Sequence, residues 1–164
     1  MCRELTDVYF SGNFWGHEEN DIPAALLNFK KEFNIGERLW YIPYLYISDR
    51  GITIDLCVRV SPDEFKNNFI EKWDLMNKSE EDFSQADLLL IDAENPLHIY
   101  DRPEISLNGK KLKFDHSSSI SYNPLFPSSI DEAAKALAKS YGLDLSFCWV
   151  VIRASFECTD IKSI

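Results

Sequence analysis

In the segment ITIDLCVRVS, the side chains of Thr53, Asp55, Cys57 and Arg59 fall on one side of an extended chain, and Tyr41 and Arg153 lie on segments able to neighbour it. A guanidinium in that setting grips a carboxylate through two parallel hydrogen bonds, and a tyrosine ring adds a flat contact. Tyr41, Asp55, Arg59 and Arg153 therefore compose a candidate site for a small polar or zwitterionic ligand. The competing reading is a sheet face turned to solvent, which is the commoner arrangement in antiparallel sheets.

The histidines come next. His17-Glu18-Glu19 and Asp115-His116 carry metal-ligand types, but adjacent residues of an extended chain point to opposite sides, and helical ligand spacing is missing. No metal site is predicted. Asp115-His116-Ser117 has the residue types of a hydrolase triad, yet those roles need side chains converging from separate elements. Cys2, Cys57, Cys148 and Cys158 are widely spread without a C-x-x-C pair. That usage reads as reduced thiols, with Cys57 and Cys148 as small core residues. Neither a phosphate-binding glycine loop nor a zinc-protease or serine-hydrolase motif occurs, and with only six glycines a phosphate cradle is hard to build. No cofactor is expected, and the balance tilts against an enzyme.

Trp40, Tyr44 and Tyr46, in LWYIPYLYIS, form a third candidate, a stacking platform for a carbohydrate. Its fate rests on the hairpin this stretch makes with ITIDLCVRVS, because a slip of one residue exchanges the faces. A two-residue loop, Asp49-Arg50, sets Trp40 beside Arg59 and Tyr44 beside Asp55, an aromatic and charged groove. A three-residue loop ending in Gly51 sets Trp40 beside Val60, Tyr44 beside Leu56 and Tyr46 beside Ile54. Glycine suits the left-handed last position of the longer loop, whereas Arg50 resists the positive φ of a primed two-residue turn, so the longer loop and a buried aromatic row are predicted. Pro43 cannot donate to a ladder and marks an edge or a bulge.

The rest of the chain supplies the frame. Val8 to Trp15 alternates as a strand with Val8, Phe10 and Phe14 on one side. Asp21 and Pro23 open a predicted helix with Ile22, Leu26, Phe29 and Phe33 at helical spacing and Gly36 as its cap. Ser61-Pro62-Asp63-Glu64 is a capping box that starts a helix with Phe65, Phe69, Trp73 and Met76 on one stripe. Leu88 to Ile91 reads as a short apolar strand, and Asn95-Pro96 turns the chain into Leu97 to Tyr100. PEISLNGKKLKF is a hairpin with a type I′ turn at Asn108-Gly109, pairing Ile105 with Leu112 and Glu104 with Lys113. Another strand covers Ser119 to Tyr122. Ser129 caps a helix lined by Ala134, Leu137, Ala138 and Tyr141 and stopped by Gly142. Leu145 to Phe156 is apolar on both sides, as a central strand should be.

These elements predict an α+β fold, with a mainly antiparallel sheet of about eight strands and roughly three helices packed on it, as one domain over residues 1–164. The chain's 164 residues are 45% hydrophobic, ample for a packed core. Lys and Arg total 17 against 27 Asp and Glu, a net charge of −10 that repels nucleic acid and anionic membranes and serves solubility first. The start, MCRELTDVYF, lacks the basic head and apolar core of a signal peptide, and no stretch approaches the ~18 apolar residues of a spanning helix, so a cytoplasmic protein is expected. The leading functional expectation is a non-catalytic module whose acidic surface engages a basic protein partner. The alternatives are a small-ligand binder or enzyme using Tyr41, Asp55 and Arg59, and the carbohydrate platform.

Overall fold

The computed structural model describes residues 7–99, 103–125 and 132–158. It is an α+β fold built on a five-stranded sheet, antiparallel throughout. The strands are β1 (Ala25–Ile35), β2 (Arg38–Ile47), β3 (Gly51–Val60), β6 (Lys113–Tyr122) and β7 (Cys148–Glu157), in the order β1-β2-β3-β7-β6. A two-stranded hairpin, β4 (Ser106–Leu107) with β5 (Lys110–Lys111), lies apart from the main sheet. No helix among the described residues is long and apolar enough to cross a membrane.

The sheet is covered on both faces, not one. On the first face Ile54, Leu56, Val58, Val150 and Ile152 pack against Phe65, Phe69, Leu97 and Leu112. On the second, Cys57, Ile120, Val151 and Trp149 pack against Phe14 and against Ala134, Leu137 and Tyr141. The solvent-facing surface proposed for Asp55 and its neighbours is thereby overturned, since Thr53, Asp55, Arg153 and Ser155 are all buried. β7 is flanked by β3 and β6 and its first nine residues are buried, as its two-sided apolar pattern requires.

The segment Ala25–Ile35 is a strand, not the helix its spacing suggested. Phe29 and Phe33 are four residues apart, and an even separation satisfies a strand's period of two as well as a helical turn. Pairing decides the matter. Residues Ala25–Asn28 and Lys31–Ile35 bond to β2, Phe33 stacks on Trp40 at 6.2 Å, and Gly36 (φ 63) serves the β1–β2 turn instead of capping a helix. Likewise Leu88 to Ile91 belongs to a helix, α3 (Gln85–Glu94). Its flanking residues are good helix formers, and a short apolar run cannot by itself tell the two states apart. Val8 to Trp15 forms no strand beyond a bridge from Tyr9 to Pro23, yet Val8, Phe10 and Phe14 are all buried.

Ser61 precedes α1 (Pro62–Phe65), which continues through a π-helical stretch (Lys66–Ile70) into α2 (Glu71–Trp73). The wider π turn changes the phase, so Phe65, Phe69 and Ile70 are buried, while Met76, past the left-handed Asp74, is exposed. The Ser61 hydroxyl makes no cap bond. By contrast, the Ser84 hydroxyl accepts from the Asp87 N–H at 3.1 Å. Accordingly Ser84→Ala should cost ~1 kcal/mol and Ser61→Ala a few tenths, read from denaturant midpoints. Equal midpoints for the two variants would contradict this assignment of caps. The Ser129 cap lies outside the described residues; its helix, α4 (Glu132–Ser140), buries Ala134, Leu137 and Ala138, and Gly142 follows at φ 69.

The Asn108-Gly109 hairpin has the predicted turn, with positive φ at both residues, and the predicted register. Its charges differ from expectation. Glu104 pairs with Lys111 at 2.9 Å, and Lys113 reaches Glu157 at 3.4 Å.

The β2–β3 hairpin starts in the two-residue register and leaves both registers considered beyond a bulge, so the predicted three-residue loop, with Trp40 beside Val60, is not found. Ser48 N–H bonds the Gly51 carbonyl at 2.9 Å, so the turn is the two-residue Asp49-Arg50, and Tyr46 pairs with Thr53 rather than standing beside Ile54. Neither turn residue needs positive φ, because the Ser48 hydroxyl accepts from the Arg50 and Gly51 N–H groups at 3.2 Å each. Beyond the turn a bulge between Tyr41 and Leu45, at the buried Pro43, shifts the pairing by one. Trp40 thus lies opposite Val58 and returns to the apolar face. The aromatic row is split: Trp40 packs on the first face, Tyr44 and Tyr46 on the second. A flat carbohydrate platform from Trp40, Tyr44 and Tyr46 does not exist.

Candidate functional site

Two of the four residues singled out on the polar face meet in the core. The Arg153 Nε and Nη2 groups donate to Asp55 Oδ1 and Oδ2, both at 2.7 Å, with the residues 4% and 0% exposed. β3 and β7 set them directly opposite each other. Tyr141, just after α4, donates to Asp55 Oδ2, and the Tyr46 hydroxyl reaches the Tyr141 oxygen at 2.8 Å. The Phe14 ring covers the Arg153 guanidinium at 4.4 Å. Three hydrogen bonds thus reach the carboxylate, one on Oδ1 and two on Oδ2, which is what makes such a buried pair tolerable. This is a structural clamp joining two strands, α4 and the segment around Phe14, with no room for a ligand on Asp55.

Burial, with the Asp55 charge adding to it, pushes the Tyr46 hydroxyl up to about 12, and the same two causes hold Tyr141 well above the ordinary tyrosine value. The folded protein keeps a proton that the unfolded chain releases near pH ~10. The stability associated with neutral Tyr46 is therefore fully present below pH ~10 and is lost as pH rises towards ~12, a decline of about 2–3 kcal/mol. Unfolding curves taken from pH ~9 upward should show it, and Tyr46→Phe should flatten it. Identical slopes for the two proteins would rule Tyr46 out as the source.

Tyr41 and Arg59 lie elsewhere. They line an open groove of about 550 Å³ with Lys30 and Glu32 of β1, and Asp144 and Trp149 from the α4–β7 side. Arg59 stacks over the Phe147 ring at 4.5 Å. Burial, and then the neighbouring Cys57, Tyr44 and Glu32, raise the Tyr41 hydroxyl above its ordinary value, so it stays a donor. Asp144 is held below the usual carboxylate range, chiefly by the Ser146 hydroxyl and backbone N–H, with Arg59 adding to the effect.

A second cavity, also about 550 Å³, opens on the apolar face. Phe29, Phe33, Trp40, Ile42 and Leu45 form one wall and the hairpin residues Ile105 and Leu107 the other, with Glu104 and Ser106 the polar members of the lining. It sits beside β1, the edge of the sheet, which is exposed along almost its whole length. Sequence reasoning missed this cavity because it placed Phe29 and Phe33 on a helix. The even spacing of Phe29, Phe33 and Ile35 was the signal available.

The histidine region also differs from expectation. A bulge between Phe114 and His116 lets Asp115 Oδ2 reach His116 Nδ1 at 2.5 Å, so the two neighbours do share a side. His116 Nε2 faces the Gly12 carbonyl at 2.8 Å, which occupies the ring nitrogen a catalytic base would use. His17 stacks on Tyr9 at 3.6 Å. Among the described residues no three His, Cys, Asp or Glu side chains gather as a metal centre requires. Cys57 and Cys148 are buried free thiols, and burial pushes Cys148 up to about 11.

This chain matches no protein-family model, no curated protein and no solved structure. The geometry of its own cavities and edges therefore carries the functional argument.

Proposed function

We propose that this chain is a non-catalytic binding module that takes up an extended segment of a basic protein partner along β1. The observation that carries the reading is the combination of an 11-residue edge strand with the apolar cavity beside it. An exposed edge offers a row of unpaired N–H and C=O groups to an incoming strand, and native sheets ordinarily blunt such an edge. Here it is long and displays Leu26 (56% exposed), Leu27 (44%), Phe33 (37%) and Ile35 (55%). Added main-chain hydrogen bonds would give affinity, and apolar side chains at alternate positions would drop into the cavity to give selectivity. The net charge of −10, with Glu104 in the cavity lining, favours basic residues at the remaining positions of the partner.

Trp40 lines the cavity and reports its occupation. Peptides alternating apolar and basic residues should change the fluorescence of the wild-type protein but not of Trp40→Phe, and Phe33→Glu should weaken binding by at least ~10-fold. Association should slow as salt rises from ~0.05 to ~0.5 M, because the screening length falls from roughly 14 to about 4 Å. Binding that ignores both Phe33→Glu and salt would sink the reading.

The almost wholly apolar lining favours a second reading, a small apolar ligand in the same cavity, whose volume suits one. Long-chain alcohols quenching Trp40 where the peptides fail would select it.

A further inference from the structure

Arg59 stands apart from the other arginines and lies outside the apolar cavity beside β1. Of those among the described residues, Arg38 pairs with Glu64 at 3.2 Å, Arg50 with Glu18 at 3.3 Å, and Arg153 with Asp55 at 2.7 Å. Arg59 makes no such pair among the described residues, although acids outnumber bases by 27 to 17 in this chain. Nor is it a loose surface side chain. It is half-buried, with its guanidinium carbon over the Phe147 ring, 4.5 Å from the ring centre, and it makes no side-chain hydrogen bond among the described residues. Asp144 lies near enough for the two charges to influence each other, yet no ion pair closes between them.

The groove around Arg59 is arranged by unusual backbone. Lys30 is a non-glycine residue at φ 47 inside a strand, where the β1–β2 pairing breaks between Asn28 and Lys31, and it lines this groove. A left-handed residue of this kind costs of order 1 kcal/mol or more and persists where the surroundings enforce it, often at a binding site. The groove thus presents Arg59 and Lys30 as cations, Glu32 and Asp144 as anions, and the Tyr41 hydroxyl as a neutral donor. Trp149 lies beneath, its Nε1 donating to the Asp144 carbonyl at 2.8 Å, which ties the loop bearing Asp144 to the sheet.

We propose that this groove is a binding site for a small zwitterion of the α-amino acid class, its carboxylate on the open edge of Arg59 and its ammonium towards Asp144 and Glu32. A guanidinium already seated against a ring needs little ordering to make a two-point contact with a carboxylate, which is where arginine exceeds lysine. A simple anion would gain Arg59 but meet Glu32 and Asp144, and a simple cation would meet Arg59 and Lys30. Only a ligand carrying both charges matches the groove.

The test is a calorimetric titration of the full chain with each standard amino acid, with acetate and propionate, and with methylamine and ethylamine. At least one amino acid should bind one-to-one below ~10 mM, at least ~10-fold tighter than the simple anions or amines. Arg59→Gln should weaken it ~10-fold or more, as loss of a charged hydrogen-bonding partner does, and Asp144→Asn should weaken it in the same direction. Arg38→Gln, on a paired surface arginine, should leave it unchanged. The indole N–H resonance of Trp149 should move on binding and stay still in Arg59→Gln, a readout that does not depend on global stability. Absence of amino acid binding at ~10 mM, binding that survives Arg59→Gln, or acetate binding as tightly as any amino acid would each overturn the assignment.

Discussion

Asp55→Ala should cost about 3–5 kcal/mol, near the upper end of what single substitutions do. The variant leaves the Arg153 guanidinium 4% exposed with its two carboxylate contacts gone, and it removes the acceptor of the Tyr141 hydroxyl. Truncating one partner of a buried pair costs more than the pair itself contributes, because the surviving charge cannot regain water. That argument has a second consequence. Asp55→Ala combined with Arg153→Met removes both charges and should be more stable than Asp55→Ala alone, despite carrying an additional substitution. Chemical unfolding at neutral pH measures both variants and wild type. A double variant less stable than Asp55→Ala would mean that the clamp stabilises through packing around Arg153, such as the Phe14 contact at 4.4 Å, rather than through charge.

How much of this was legible in the sequence depends on the range of the interaction that decides each feature. Local chemistry was readable. Asn108-Gly109 enforces its turn, Pro62 opens its helix, Gly142 closes α4, and the two-sided apolar run of β7 announces a central strand. Features decided by partners distant in the chain were not. Phe29 and Phe33, four residues apart, fit both periods, and pairing with β2 chooses. The Leu88 to Ile91 run takes the state of its flanks. The register of β2 on β3 follows from a serine that stabilises the turn and a proline that displaces the ladder, two one-residue shifts in the same direction that together set Trp40 opposite Val58 and keep it on the apolar face. At the candidate sites, residue types were a good guide and company was not. Tyr41 and Arg59 do share a groove and Asp55 does meet Arg153, but these are separate places, one open and one sealed. The seal comes from Phe14 and Tyr141, each far from Asp55 in the chain, so no local pattern could have revealed it.

Gly51→Ala should cost at least ~3 kcal/mol, and the reason is not the one its place in the sequence suggests. Glycine after Asp49-Arg50 invites an account based on left-handed backbone, yet Gly51 is not among the residues with positive φ. Its constraint is proximity. A Cβ at this position would stand 1.9 Å from the Phe156 carbonyl oxygen and 2.6 Å from Cε2 of the Phe10 ring. The oxygen belongs to the backbone of β7, which β3 grips on one side and β6 on the other, so it cannot recede without opening a ladder. Phe10 has little freedom either, being 1% exposed with the Arg50 guanidinium 4.8 Å from its ring centre. The two accounts separate by experiment. If left-handed backbone were the constraint, Gly51→Asn would be the mild substitution, since asparagine tolerates that region better than alanine. If the Phe156 carbonyl is the constraint, Gly51→Asn is at least as damaging as Gly51→Ala, and trimming the ring in Phe10→Ala/Gly51→Ala gives no rescue. Denaturant midpoints, or the yield of folded protein where a variant fails to fold, distinguish them. A loss below ~1 kcal/mol for Gly51→Ala would show that β3 and β7 do not approach as closely as this at the turn, and would loosen the placement of Ile52 and Ile54, which line the apolar cavity two strands in from the edge.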